Sequence, residues 1–137
     1  MKRKTAFIIA LALIFAMCFS VPAYAMVNRA NPVISQKYGS IVNGGNGDIY
    51  ISFSVSAKHP CTKLGASDIT LYKADGTFLK HYSSSAFAVM LASDTFTYGN
   101  SVYYPGNPGE TYYAVITYYA EYEGASYTTS YTTNVGP

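Results

Sequence analysis

Three scarcities limit what this chain can be: it has no tryptophan, only two cysteines and few charged residues. Cys18 lies in the apolar N-terminal stretch, so Cys61 is the single cysteine of the remaining chain and no disulfide can form within it. A lone thiol in an exported protein is either buried, spare or paired with another chain, and free cysteine is among the most often buried residue types. Without a basic cluster, the sequence also lacks the electrostatic footprint of a protein that binds nucleic acid or an anionic membrane.

The first 25 residues have the three-part layout of a secretory signal peptide. Lys2, Arg3 and Lys4 give a basic start, an apolar run extends from Ala6 to Phe19, and Ala23-Tyr24-Ala25 places small residues where signal peptidase reads. The apolar run is shorter than the roughly 20 residues that a bilayer span needs. We therefore predict cleavage after residue 25 and a secreted, extracellular product without a membrane anchor. Of nine basic residues three are removed, which leaves six against seven acidic residues and a net charge near −1.

The rest of the chain has the composition of β-strands, being rich in tyrosine, threonine, serine, valine and glycine. Turn signals recur at short intervals, which is typical of a sandwich or barrel. The sequence therefore predicts an all-β domain over residues 38–137, preceded by an N-terminal extension at 26–37. About seven strands of an antiparallel β-sandwich are expected, near residues 38–42, 48–57, 68–73, 77–83, 95–104, 111–122 and 126–134.

The strand at 48–57 is the clearest, because apolar residues from Ile49 to Ala57 alternate with Tyr50 and three serines. The glycine-rich stretch at 43–48 joins it to the preceding strand, and Asp75-Gly76 predicts a second hairpin. Residues 83–94 fit either a strand or a helical turn. Gly99 is expected to form a bulge or turn.

Seven of the fifteen tyrosines lie between residues 111 and 133. A two-residue turn at Glu123-Gly124 places 122 opposite 125 and 116 opposite 131, and opposite residues share a face. The inward face then carries Tyr112, Ala114, Ile116, Tyr118, Ala120 and Tyr122, with Tyr127, Thr129 and Tyr131. The outward face carries Tyr113, Val115, Thr117 and Tyr119, with Ser126, Thr128, Ser130 and Thr132. A three-residue turn would exchange the two faces of the second strand.

These turn-bounded strands, the Asp-Gly hairpin and the element PGNPGETYYAVIT resemble an immunoglobulin-like or fibronectin type III-like sandwich. The resemblance implies a tyrosine at the start of the sixth strand whose hydroxyl bonds back to the preceding loop, and either Tyr112 or Tyr113 holds that place. The chain departs from the pattern in having no tryptophan in the second strand. More closely, KLGASDITLYKADGTFLKHY, GETYYAVITYYA and YTTSYTTN resemble a group of small exported proteins of Gram-positive bacteria. That resemblance implies the fold and export, and it supplies no catalytic residues.

Residues that could carry chemistry are sparse. His59, Cys61 and His81 form the one histidine–cysteine grouping, but they show no local spacing motif for zinc or for a nucleophile pair. The stretch Asn43–Asp48 is similar to a calcium-binding repeat, but it is a single copy without the residue that separates glycine from aspartate, so a tight turn is expected. We predict no metal, no cofactor and no catalytic activity.

The outward face of the last hairpin is the candidate binding surface, formed by Tyr113, Val115, Thr117, Tyr119, Thr128 and Thr132. Flat tyrosine and threonine surfaces suit sugar rings and other proteins, although ordinary exported sheets also carry such faces. We predict a non-catalytic β-sandwich that binds a protein or a glycan at the cell surface or outside the cell. The alternative is a structural protein that assembles through edge strands or as a Cys61-linked dimer.

Overall fold

The computed structural model describes residues 30–137, and the predicted signal peptide at 1–25 lies outside them. The described residues form antiparallel strands and one short 3-10 helix. In chain order these are β1 (Ile34–Gly45), β2 (Asp48–Lys73), β3 (Phe78–Ser83), the 3-10 helix (Ala88–Met90), β4 (Leu91–Tyr104), β5 (Tyr112–Tyr122) and β6 (Ala125–Thr132). The all-β prediction is confirmed. Within this part of the chain no helix has the length and apolar character needed to cross a membrane.

β2 is one strand of 26 residues where the sequence predicted two, at 48–57 and 68–73. The strand continues because β4 pairs with both sides of the polar stretch around Pro60, with a shift of register between Ser56 and Cys61. A second shift, between Ala66 and Asp68, interrupts the pairing with β5. Such irregularities bend a strand and increase its twist. Residues 30–137 therefore hold six strands rather than seven.

The bend in β2 gives its two halves different neighbours, and the sheet curls as a result. Residues 49–56 of β2 lie between β1 and β4, residues 63–65 lie between β4 and β5, and residues 68–72 lie between β3 and β5, with β6 beyond β5. On one side of the curl, the Tyr118 hydroxyl of β5 donates to the Tyr38 carbonyl of β1. On the other side, the Tyr82 hydroxyl of β3 donates to the Tyr103 carbonyl of β4 over 2.7 Å.

The core lies inside this curl and is filled by alternate side chains of its strands. Ile49, Ile51, Phe53 and Val55 of β2 are buried, as their alternation predicted. From β5, the buried side chains are those of Tyr112, Ala114, Ile116, Tyr118 and Ala120. β1 approaches β5 closely at Gly39, because a Cβ added there would overlap Cδ1 of Ile116.

Three predicted hairpins are confirmed. β1 pairs with β2 across the glycine-rich turn, and β2 pairs with β3 across Asp75-Gly76. In the second of these turns the Lys73 N–H donates to the Thr77 carbonyl over 2.9 Å. Glu123 and Gly124 join β5 to β6 with φ angles of 50° and 76°, the positive values that a two-residue hairpin turn needs.

Two features differ from the sequence prediction, and a third that the sequence left open is decided. β1 begins at Ile34, so residues 34–37 belong to the sheet and not to an N-terminal extension. The prediction of a bulge or turn at Gly99 is wrong, because Gly99 pairs in regular register with Ser54 inside β4. The ambiguous segment 83–94 contains both alternatives in succession, a 3-10 helix at Ala88–Met90 and the start of β4 at Leu91.

Candidate binding surface

The β5–β6 hairpin has the register of a two-residue turn. Tyr122 pairs with Ala125, and Ile116 pairs with Tyr131, as the sequence predicted. Val115 lies directly opposite Thr132, and Tyr119 lies directly opposite Thr128. The six residues of the candidate binding surface therefore share one face of the hairpin, namely Tyr113, Val115, Thr117, Tyr119, Thr128 and Thr132. The four on β5 are half-buried, and the two on β6 are exposed.

Tyr112 and Tyr118 of the inward face are core residues whose hydroxyls have backbone partners, whereas Tyr122, Tyr127 and Tyr131 of that face are half-buried. Tyr112 is 1% exposed, and its hydroxyl accepts a hydrogen bond from the Asn107 N–H over 3.0 Å. Tyr112, and not Tyr113, therefore makes the bond to the preceding loop that the sequence left open between them. The buried Tyr118 is held by the Tyr38 carbonyl, and its burial raises the pKa of its hydroxyl. These side chains are structural and are not available to a ligand.

The outward Tyr113 belongs to a row of three aromatic rings that crosses three strands. Its ring stacks on Tyr72 of β2 with centroids 5.1 Å apart and planes 15° apart. Tyr72 in turn meets the edge of Phe78 of β3 at 6.2 Å and 77°. Phe78 is 59% exposed. We call Phe78, Tyr72 and Tyr113 the aromatic row.

Sequence reasoning missed Tyr72 and Phe78 as parts of this surface. The alternation of buried Ile69 and Leu71 with polar neighbours was visible, and it places Tyr72 on the outward side of β2. What the sequence could not give is the pairing of Tyr72 with Tyr113, which belongs to a strand about forty residues further along the chain.

The orientation of the aromatic row limits what can bind it. Tyr72 and Tyr113 are nearly parallel, so one face of each ring is covered by the other ring. Each ring of the pair therefore has one face that a ligand cannot reach, while both carry a phenol hydroxyl. Aromatic edges and phenol hydroxyls are characteristic of protein interfaces.

The far end of the surface is polar and shallowly concave. The Tyr119 hydroxyl donates to Glu121 Oε2 over 3.1 Å. Partial desolvation, as the larger cause, and this carboxylate, as the smaller one, raise the pKa of Tyr119 and keep its phenol protonated. Tyr119 also lines a depression of about 230 Å³ together with Lys63, Ser67, Ser84 and Leu91.

The histidines and the cysteine do not come together. The His59 ring stacks on Tyr122 at 5.0 Å, and the His81 Nε2 lies 2.9 Å from a carboxylate oxygen of Asp68. Cys61 is 1% exposed, and its thiol donates to the His59 carbonyl over 3.3 Å. Burial raises the pKa of the Cys61 thiol, which disfavours the reactive thiolate. Among residues 30–137, no group of three His, Cys, Asp or Glu side chains is placed to hold a metal ion.

A second exposed row lies on β1, the first part of β2 and β4, away from the strands of the aromatic row other than β2. Val42 pairs with Tyr50, and Tyr50 pairs with Tyr103, across β1, β2 and β4. The three side chains are 46%, 41% and 47% exposed. The Tyr50 and Tyr103 rings are 5.5 Å apart but inclined by 53°. This second row offers a matched control for experiments on the aromatic row.

No protein-family model, curated protein or solved structure matches this chain. The resemblance to small exported proteins of Gram-positive bacteria stays a prediction.

Proposed function

We propose that this chain is an exported, non-catalytic domain that binds another protein at the cell surface or outside the cell. The binding site is the outer face of β3, β2, β5 and β6. The observation that carries the proposal is the aromatic row, which continues into the threonines and Tyr119 of the candidate binding surface. Tyrosines contribute large contact areas and hydroxyl partners in interfaces, and they recur among the residues on which affinity depends most.

A protein partner fits this face better than a glycan does. Sugar rings stack on open aromatic faces, and the stacked faces of Tyr72 and Tyr113 are occupied by each other. Phe78, exposed at the end of the row, supplies an apolar anchor with no polar atom for a sugar hydroxyl. The depression beside Tyr119 can accept a side chain of a partner.

Two further parts of the proposal have separate support. Export is supported by the basic, apolar and small-residue segments at residues 1–25. An immunoglobulin-like or fibronectin type III-like sandwich is supported by the division of β2 between two sets of neighbours and by the hydrogen bond from the Asn107 N–H to the Tyr112 hydroxyl.

The proposal is tested by retention of the purified domain on the cell envelope of the organism that makes it. The double variant Tyr113→Ala/Tyr119→Ala should lose retention, whereas the control variant Tyr50→Ala/Tyr103→Ala, in the second exposed row, should keep it. Protease treatment of the envelope should abolish binding, and a glycan panel should give no signal. If retention survives the protease, and if the domain binds a glycan on the panel that the Tyr113 variant binds less well, the partner is a glycan and not a protein. Equal retention by both double variants would refute the site.

A further inference from the structure

The edge strands β4 and β6 differ in how well their outward backbone N–H and C=O groups are protected. An edge strand exposes unpaired N–H and C=O groups that can pair with another chain, and natural proteins protect such edges. β4 is protected by side chains. The Thr95 hydroxyl bonds both the N–H and the C=O of Thr97, at 3.3 and 2.8 Å. The Ser101 N–H donates to Asn100 Oδ1 over 2.8 Å, and the Tyr103 carbonyl accepts from Tyr82.

β6 has far less protection. In its hairpin the pair Tyr122–Ala125 closes the turn, so the odd-numbered residues of β6 bond to β5 and the even-numbered ones direct their backbone groups away. The Thr128 carbonyl confirms this direction, because it accepts from Asn31 Nδ2 over 3.3 Å. Within residues 30–137, the outward backbone groups of Ser126, Ser130 and Thr132 have no hydrogen-bond partner.

The composition of β6 also favours pairing. ASYTTSYT contains no charge, no proline and no glycine, and it is rich in residues that favour strands. Charges and prolines are the usual means of blocking an edge, and β6 has neither. Lys37 of β1 donates to the hydroxyl of Thr129, on the face of β6 that looks toward β1.

We propose that β6 pairs in antiparallel fashion with β6 of a second copy of this chain, about a twofold axis at Ser130. Ser130 would then face its own counterpart and exchange two hydrogen bonds with it. Thr128 would face Thr132 of the second copy, and its carbonyl, which accepts from Asn31, has a second lone pair for the Thr132 N–H. The two β6 strands are self-complementary in this register, because hydroxyl side chains meet hydroxyl side chains and no like charges are brought together. This inference goes beyond the proposed function, since it uses the edge of β6 and not its outer face.

Sedimentation velocity on protein purified from cells that express the full sequence tests this pairing. The average mass should rise from monomer toward dimer between about 1 µM and 1 mM, the range expected of a small interface. Ser130→Pro removes the outward N–H and leaves the bonds to β5 in place, so it should weaken association at least ten-fold. Ser101→Pro, on the protected edge of β4, is the matched control and should leave association unchanged.

Two further measurements keep the test decisive if Ser130→Pro fails to fold. Ser130→Lys places two lysines opposite each other at the axis, so association should weaken and should recover partly at high salt. In the unmodified protein, the amides of Ser126, Ser130 and Thr132 should gain protection from hydrogen exchange as concentration rises. A mass that stays monomeric over the whole range, or a dimer that Ser130→Lys leaves intact, would overturn the proposal. Neither result decides whether Tyr113 and Tyr119 form the binding site.

Discussion

The contact between Gly39 of β1 and Ile116 of β5 gives the sharpest test of how the sheet closes. A Cβ at Gly39 would overlap Ile116 Cδ1, while its next neighbours, on Thr133 and Tyr131, lie at an ordinary 3.4 Å. Gly39→Ala should therefore destabilise the fold by about 1–3 kcal/mol through overpacking. Ile116→Val removes the Cδ1 methyl from a fully buried site and should cost about 0.5–1.5 kcal/mol.

The two changes together should compensate each other. The alanine methyl occupies the space that Cδ1 leaves, so the double variant should be no less stable than the worse single variant. The favourable coupling free energy should be about 1–2 kcal/mol. The lower conformational entropy that alanine gives the unfolded chain is the same in the single and the double variant, so it cancels from the coupling.

Urea unfolding followed by far-ultraviolet circular dichroism measures this cycle, provided that the slope against urea stays constant among the four proteins. A control cycle pairs Gly39→Ala with Val115→Ala, because Val115 points outward from the neighbouring position of the same strand. That cycle should be additive within about 0.5 kcal/mol. Additive effects in the Gly39–Ile116 cycle would refute the close approach of β1 to β5.

Three more predictions follow from the core. Ile116→Ala should cost about 2–5 kcal/mol and Val115→Ala less than about 1 kcal/mol in the same assay, and equal costs would contradict the face assignment of β5. Gly65→Ala should destabilise by about 2 kcal/mol or more, because its Cβ would meet the Met90 carbonyl and lie 2.9 Å from Cα of Leu91; an unchanged melting temperature would contradict this packing. Burial raises the pKa of Tyr82 to about 12, so the folded state holds that proton more tightly than the unfolded state. The stability that Tyr82 contributes below about pH 10 should fall by about 2–3 kcal/mol as the pH rises toward 12, and Tyr82→Phe should remove that share of the decline, though not the share of the buried Tyr118, in urea midpoints measured at pH 9 and pH 12.

The sequence predicted the features that are set by neighbours in the chain. Alternation placed Ile49, Ile51 and Ile116 in the core because the period of a strand is visible within a few residues. Glu123-Gly124 fixed the register of β5 and β6 because the turn determines which residues face each other. The same local logic gave the face of the candidate binding surface.

Features set by distant pairing could not be predicted in this way. β2 continues through Pro60 because β4 pairs with β2 on both sides of that residue. The sequence of residues 58–62 contains no local signal that predicts this pairing. Gly99 has turn propensity, but it is held in a strand by its pairing with Ser54. The stacking of Tyr72 on Tyr113 depends likewise on the register between β2 and β5, for which the sequence offers no local signal.

The edge of β6 and its outer face are physically linked, because both belong to the same strand. If two copies pair at Ser130, the outer faces of two β5–β6 hairpins join into one sheet surface with an aromatic row in each half. A partner displayed repeatedly on a surface would then be held at two points, and the second contact would form at a high effective concentration. Monomeric Ser130→Pro should therefore still bind the isolated partner through Tyr113 but dissociate faster from a surface that carries many copies. If the variant and the unmodified protein left such a surface at the same rate, the dimer would contribute nothing to binding.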